Sequence, residues 1–105
     1  SKYITNEANM VREKVLVYIK KDFDNVDDQI AMDNILKKEA GYRPDALNGQ
    51  ACGMPQAMPC EKMKCPLDYS DEAIKCQYDW IKGYVQRRYQ TPTLGWKFHL
   101  VNNWY

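Results

Sequence analysis

The chain has one histidine, two phenylalanines and no CxxC pair among its cysteines. A lone His99, with no serine or cysteine motif beside it, gives no catalytic triad. Without closely paired cysteines a zinc site is not expected. No stretch approaches the eighteen or so apolar residues that a membrane span needs, and the Val15–Ile19 run is short with charged flanks. No signal peptide is recognisable, so the start at Ser1-Lys2-Tyr3 reads as a mature product or an excised domain. An excess of one charge is also lacking. Fifteen Lys and Arg face fourteen Asp and Glu, a net charge of +1, which provides no field to gather nucleic acid or anionic lipid. No internal repeat, low-complexity tract or nucleic-acid recognition motif is present.

A chain of 105 residues reads as a single domain, 1–105, able to bury roughly two-thirds of its unfolded surface. Its four cysteines, Cys52, Cys60, Cys65 and Cys76, are even in number and close in sequence. They read as two disulfides formed in an oxidising compartment. Three pairings are possible; we expect a small Cys60–Cys65 ring and a Cys52–Cys76 tie to the next helix. All three tryptophans and half of the eight tyrosines fall from Tyr78 onward. Such side chains suit clefts that are part apolar and part wet, but they also fill cores.

The fold class is mainly α: about four helices with one long cleft-forming loop or short hairpin. Thr5, Asn6 and Glu7 look like a helix start. Ala8, Val11, Val15, Tyr18 and Ile19 then recur at helical spacing, predicting a helix over 7–22. After a break at Asp24-Asn25, Asp27 is expected to cap a second helix, with Asp28 in its first turn. Met32, Ile35, Leu36 and Glu39 share one face of it. Gly41 is placed to stop that helix, and Pro44 prevents its resumption. Asn48-Gly49 signals a tight turn inside the loop that follows. Ser70 caps a third helix whose apolar face holds Ile74, Tyr78, Ile81, Val85 and Tyr89. Pro92 is expected to end that unit. Thr93 would cap a last helix with Trp96, His99, Leu100 and Asn103 on one face.

The stretch 35–63 is the candidate site. Glu39 continues an apolar stripe, and a carboxylate held there is pushed towards its neutral form, which suits a general acid. The structural alternative is an ion pair with Arg43 or Lys62. Most glycosidases use two carboxylates. Asp45, Asp68, Asp71 and Glu72 are the candidates for the second, and each reads better as a turn or helix-start residue. A lone acid works when the substrate supplies its own nucleophile, as an N-acetylated sugar can. Gln56 can hold a sugar hydroxyl or carbonyl, or stitch the loop to itself. His99 reads first as a packed helix residue, with a cleft role as the alternative. The Trp96, Trp104 and Tyr105 cluster reads as core and cap, and Tyr78 and Tyr84 read the same way.

Glu39-Ala40-Gly41-Tyr42-Arg43-Pro44-Asp45-Ala46-Leu47-Asn48-Gly49 resembles the ES-G-x-x-P-x-A-x-N-G segment of lytic transglycosylases and goose-type lysozymes. Gly53-Met54-Pro55-Gln56 looks like their G-L-x-Q motif. The run from Gly53 to Pro59, followed by Lys62-Met63, is closer to the C-terminal lysozyme-like domain of the aggregation-promoting factors of Gram-positive bacteria. So are Trp80, Tyr84, Val85, Arg88-Tyr89 and Thr91-Pro92, and the ending Gly95-Trp96, Phe98-His99, Trp104-Tyr105. The resemblance covers about residues 28–105 and omits the first helix. It departs from the family in three ways. Ala40 stands where a serine usually follows the acid. No Ala-Tyr-Asn-Ala-Gly motif is present. Four cysteines are not a family hallmark.

This resemblance implies an α+β lysozyme-like fold. It also implies a secreted or cell-wall-associated peptidoglycan-cleaving enzyme, bacterial or phage-encoded. Glu39 would be the catalytic acid and base at the bond between N-acetylmuramic acid and N-acetylglucosamine, giving an anhydro or a hydrolysed product. Gln56 would place the glycan, with Met54, Tyr42, His99 and Tyr84 as further contacts. No metal or cofactor is expected, and the chain is expected to be a monomer. The alternative is a lysozyme-like module that binds cell-wall glycan without cutting it.

Overall fold

A computed structural model of the protein describes residues 5–103. Trp104 and Tyr105, given roles above, lie outside the described residues. The chain runs as α1 (Asn6–Asp22), α2 (Val26–Ala40), a hairpin of β1 (Leu47–Asn48) and β2 (Ala51–Cys52), α3 (Asp71–Tyr89) and α4 (Pro92–Asn102). One 3₁₀ turn, Cys60–Lys62, interrupts the long loop. The protein is mainly α, as its periodicity predicts.

The helix starts follow from local capping chemistry. The Thr5 hydroxyl accepts from the Ala8 N–H, and the Ser70 hydroxyl accepts from the Ala73 N–H. Two expected caps are corrected. Asn25, not Asp27, caps α2, its Oδ1 accepting from the N–H groups of both Asp27 and Asp28. Thr91, not Thr93, caps α4, and Pro92 opens that helix rather than only ending the unit before it. The first helical position suits proline, because its missing N–H would have been unpaired there. Thr93 turns instead to Asp28, whose Oδ1 accepts from its backbone N–H at 3.1 Å and its hydroxyl at 2.5 Å. Asp28 thus supplies the negative charge that the first turn of α4 lacks.

Val15, Ile19, Met32, Ile35, Leu36, Ile74, Tyr78, Ile81 and Val85 form the core between α1, α2 and α3. Tyr42 and Met54 enter it from the loop. The expected face of α4 is revised: His99 is buried, but Leu100 is 62% exposed and Asn103 is exposed. Gly95 lies buried in that helix, and a Cβ there would stand 3.2 Å from the Tyr89 ring, so the close packing of α4 on α3 explains a residue that weakens the helix.

Three devices hold the loop. The first is Gln77, fully buried on α3. Its Oε1 accepts from the Met54 N–H at 2.8 Å, and its Nε2 donates to Pro44 O at 3.0 Å and Pro66 O at 2.8 Å. One amide thus satisfies backbone groups from three loop segments. Gly53 leaves room for it, since a Cβ there would lie 2.9 Å from Gln77 Oε1 on a backbone with φ +75°. The second device is a pair of disulfides, Cys52–Cys60 and Cys65–Cys76. The expected Cys60–Cys65 and Cys52–Cys76 pairing is therefore overturned. Cys52 on β2 and Cys60 are already neighbours, because the Cys60 N–H donates to Gln50 O. Cys65 lies beside α3, where Pro66 meets Gln77, within reach of Cys76. The third device is Tyr42, whose hydroxyl donates to Asp33 Oδ1 at 2.6 Å. Asp33 also accepts two bonds from Arg12, both at 3.0 Å, and pairs with Lys37 at 3.3 Å.

Gln77→Leu preserves bulk but orphans three backbone groups, so chemical unfolding should report a loss of about 3 kcal/mol. A loss below a fifth of that would mean that water replaces the amide. Non-reducing peptide mapping should recover Cys52–Cys60 and Cys65–Cys76 linkages and neither alternative pairing. Full reduction should lower Tm by roughly 20–25 °C, from about 2–3 kcal/mol for each loop released.

Candidate functional site

Glu39 occupies the last turn of α2, one residue before its end. Gly41 closes that helix in the left-handed conformation at φ 55°, and Tyr42 follows at φ 62°. The chain then turns across the end of α2 and returns through the hairpin. Glu39 consequently faces the loop, at the floor of an open cleft of about 390 Å³. One side is Asn48, Ala51, Pro55, Gln56, Ala57 and Met58. The other is the α3 surface of Trp80, Ile81 and Tyr84, with Lys62 and Asn103 at the margins. A second lobe of about 210 Å³ opens between Glu39, Arg43, Ala46, Leu47, Asn48 and Gln56. Glu39, Asn48 and Gln56 line both lobes, so the carboxyl stands where the two meet.

The Glu39 carboxyl makes no hydrogen bond or ion pair with any described residue. The expected alternative, an ion pair with Arg43 or Lys62, is not formed. Arg43 Nε donates instead to Ala40 O at 3.0 Å. Burial raises the Glu39 pKa to about 7, and the nearby positive charge of Lys38 only partly opposes it. Near neutral pH this group both gives and takes a proton. Asp33, six residues earlier on the same helix, is the contrast. Its burial also favours the neutral form, but hydrogen bonds from Arg12 and Tyr42 and the charge of Lys37 outweigh it and hold the pKa below the usual carboxylate range. One helix therefore carries a charged structural carboxylate and a protonatable one.

Gln56 stands against Glu39 on the loop wall with φ 52°, a left-handed conformation uncommon for a side chain of its size. Its Nε2 donates to Gly53 O at 3.0 Å, so half of its amide stitches the loop, as one of the two sequence readings has it. Gln56 lines both lobes of the cleft. Tyr84 also reaches the cleft, stacked on Trp80 with ring centroids 5.3 Å apart.

Three expected contacts are not brought to the cleft. Met54 and Tyr42 are fully buried in the core. His99 is buried on α4, stacked on Trp96 at 5.5 Å, with its pKa lowered by burial and by the charge of Lys38. It is the packed helix residue of the first reading. None of the candidate second acids lines the cleft. Asp71 pairs with Lys14 at 2.7 Å, Asp68 accepts from the Ser70 N–H, and Asp45 and Glu72 are exposed elsewhere. Glu39 is the only acid among the described residues that line either lobe. All four cysteines are in disulfides, and among the described residues no group of three or more His, Cys, Asp or Glu is arranged to hold a metal.

Trp80, Asn48 and Ile81 line the cleft without having been singled out as site residues. Trp80 had a usable signal, since it lies four residues before Tyr84 and shares its helix face. Asn48 carried only a turn signal. No family model matches the chain, and no curated protein or solved structure matches it either.

The raised pKa carries a stability consequence. Below about pH 4.5 Glu39 is neutral both folded and unfolded; as pH rises towards 7, the unfolded chain ionises first and the fold loses stability. Glu39→Gln should therefore match the parent Tm at pH 4 and exceed it at pH 8. Equal Tm values at pH 8 would mean that Glu39 is solvated like an ordinary carboxylate.

Proposed function

We propose that the protein cleaves the β-1,4 bond between N-acetylmuramic acid and N-acetylglucosamine in peptidoglycan, with Glu39 as the single catalytic acid and base. The observation that carries this reading is an unpaired carboxyl with a pKa of about 7 at the junction of two cleft lobes. A glycan laid along both lobes puts a glycosidic oxygen over that carboxyl. The motif resemblance, with Glu39 at the family's catalytic position, supports the same reading. The two disulfides fit a chain that works outside the cytoplasm, as secreted and cell-wall-associated proteins do. Among the described residues no helix is long and apolar enough to cross a membrane.

The chemistry follows from one acid. Protonated Glu39 gives its proton to the bridging oxygen as the bond to the muramic C1 breaks, and the departing sugar leaves as an alcohol. No second carboxylate lines the cleft among the described residues to trap C1, so the N-acetyl oxygen of the substrate attacks it. The Glu39 carboxylate then takes a proton from the muramic 6-hydroxyl, or from a water, as that oxygen bonds to C1 and displaces the acetyl oxygen, restoring the N-acetyl group. The first route gives a 1,6-anhydro end and the second a reducing end, and both regenerate the acid. Gln56 holds the N-acetyl group or a neighbouring hydroxyl, and the Trp80–Tyr84 pair offers an apolar face for a sugar ring.

Ala40 favours a second reading, a glycan-binding module without catalysis. It is buried and offers no hydroxyl to orient the acid. The two readings part on one experiment. Digestion of purified cell walls by the wild-type protein should release new muropeptides, and Glu39→Gln should reduce that release at least a thousandfold. Mass spectrometry separates the routes, the anhydro product being lighter by one water. Activity should fall as pH rises through about 7, where Glu39 loses its proton. Pull-down of the protein by insoluble walls with no new muropeptides would establish the binding module instead.

A further inference from the structure

Among the described residues the cleft holds one cation in each lobe and no permanent anion to balance them. Lys62 lines the larger lobe and Arg43 the smaller, with Glu39 between them. Neither cation forms an ion pair among the described residues. Four lysines elsewhere do, Lys14 with Asp71, Lys37 with Asp33, Lys75 with Asp79 and Lys82 with Asp22, whereas Lys20, Lys21, Lys38, Lys64 and Lys97 form none among the described residues, so position and not lack of a partner sets the cleft cations apart. The two cleft cations stand beside Glu39, the only acid among the described residues that line the cleft, which is neutral when it is ready to donate a proton. Lys38 adds a further positive charge close to Glu39. The cleft as a whole therefore presents positive potential on a protein whose net charge is only +1.

Neutral polymers of N-acetylglucosamine offer such a cleft hydroxyls and amides but no negative charge. A glycan whose alternate sugars carry an acid offers a carboxylate near the cleaved bond. We propose that Lys62 and Arg43 select carboxylate-bearing glycans by pairing with the acids on either side of the scissile bond, and so discriminate against chitin-type chains. The proposal rests on the glycan-cleaving reading and adds to it the feature of the substrate that is read. Lys62 follows the Cys52–Cys60 link by two residues, and Arg43 is tied to the end of α2 through Ala40 O, so both cations have anchored backbones. A carboxylate partner gains a charge-assisted hydrogen bond at each. The acid can be the lactyl carboxylate of muramic acid itself or a carboxylate of its peptide stem.

The test is binding measured on the Glu39→Gln protein, which keeps the cleft uncharged at its centre and leaves the ligand intact. Titration calorimetry at pH 6 and low salt compares three probes: chitotetraose, the stem-free muramyl tetrasaccharide and the same tetrasaccharide carrying stem peptides. The acidic probes should bind about tenfold more tightly than chitotetraose. Adding Lys62→Met and Arg43→Gln should erase that advantage while changing chitotetraose binding less than twofold. Preference for the stem-free probe alone assigns the lactyl carboxylate, which a stem peptide converts to an uncharged amide; preference for the stem-bearing probe alone assigns a stem carboxylate, and preference for both shows that either acid serves. Equal binding of all three probes, or an equal loss for all three in the double variant, overturns the proposal. That outcome leaves the cleavage reading standing if wild-type protein still releases muropeptides, whereas no release together with intact charge discrimination removes the cleavage and keeps the selection.

Discussion

The site depends on a single buried amide. The Gln77 side chain meets three loop segments through one acceptor and two donors, at 2.8–3.0 Å. Each segment brings a backbone group that would otherwise be unpaired in an apolar interior. The observed loop path satisfies all three at once. That path carries Pro55 and Gln56 along the cleft and leaves Met54 pointing into the core. The Cys52–Cys60 link closes a loop around that path and Cys65–Cys76 closes the segment after it, so they restrict the unfolded chain while Gln77 holds the folded one.

Glu39 is positioned from the opposite direction. Its carboxyl has no anchor among the described residues, so its place comes from the backbone of α2. Asp33, Arg12 and Tyr42 lock α2 to α1 and hold the residue just past the helix end. Asp33 makes four polar contacts and stays charged, whereas Glu39 makes none and is driven towards neutrality. The difference comes from partners, not from residue type or from burial alone. A proton-transferring carboxyl of this kind needs rigid surroundings that leave the group itself unbonded.

Helix starts and stops were legible where the chemistry is local. Thr5, Gly41 and Ser70 act within three or four residues of themselves, and their roles follow from side-chain reach. The Asn25 and Thr91 caps were misplaced by two residues because neighbouring Asp and Thr residues carry the same capping chemistry. Glu39 was legible because helical phase places it on an apolar stripe. Gln77 shares the buried face of α3 with Ile74, Tyr78 and Ile81, yet a polar residue there reads as an exception until its three partners are seen. Met54 and Tyr42 belong to motifs that imply a cleft role, yet both are fully buried in the core. Motif membership says nothing about which side of the backbone a side chain takes.

By itself the sequence determined the mainly helical class, the even set of cysteines, the break at Gly41 and the acid that precedes it. Those are matters of periodicity, count and local reach. Tertiary structure alone decided which cysteines pair, which loop side chains face the cleft and that Lys62 and Arg43 stand on either side of an unpaired Glu39. These depend on contacts between residues far apart in the chain, above all the thirty-three-residue separation bridged by Gln77 and Pro44, which no local pattern encodes.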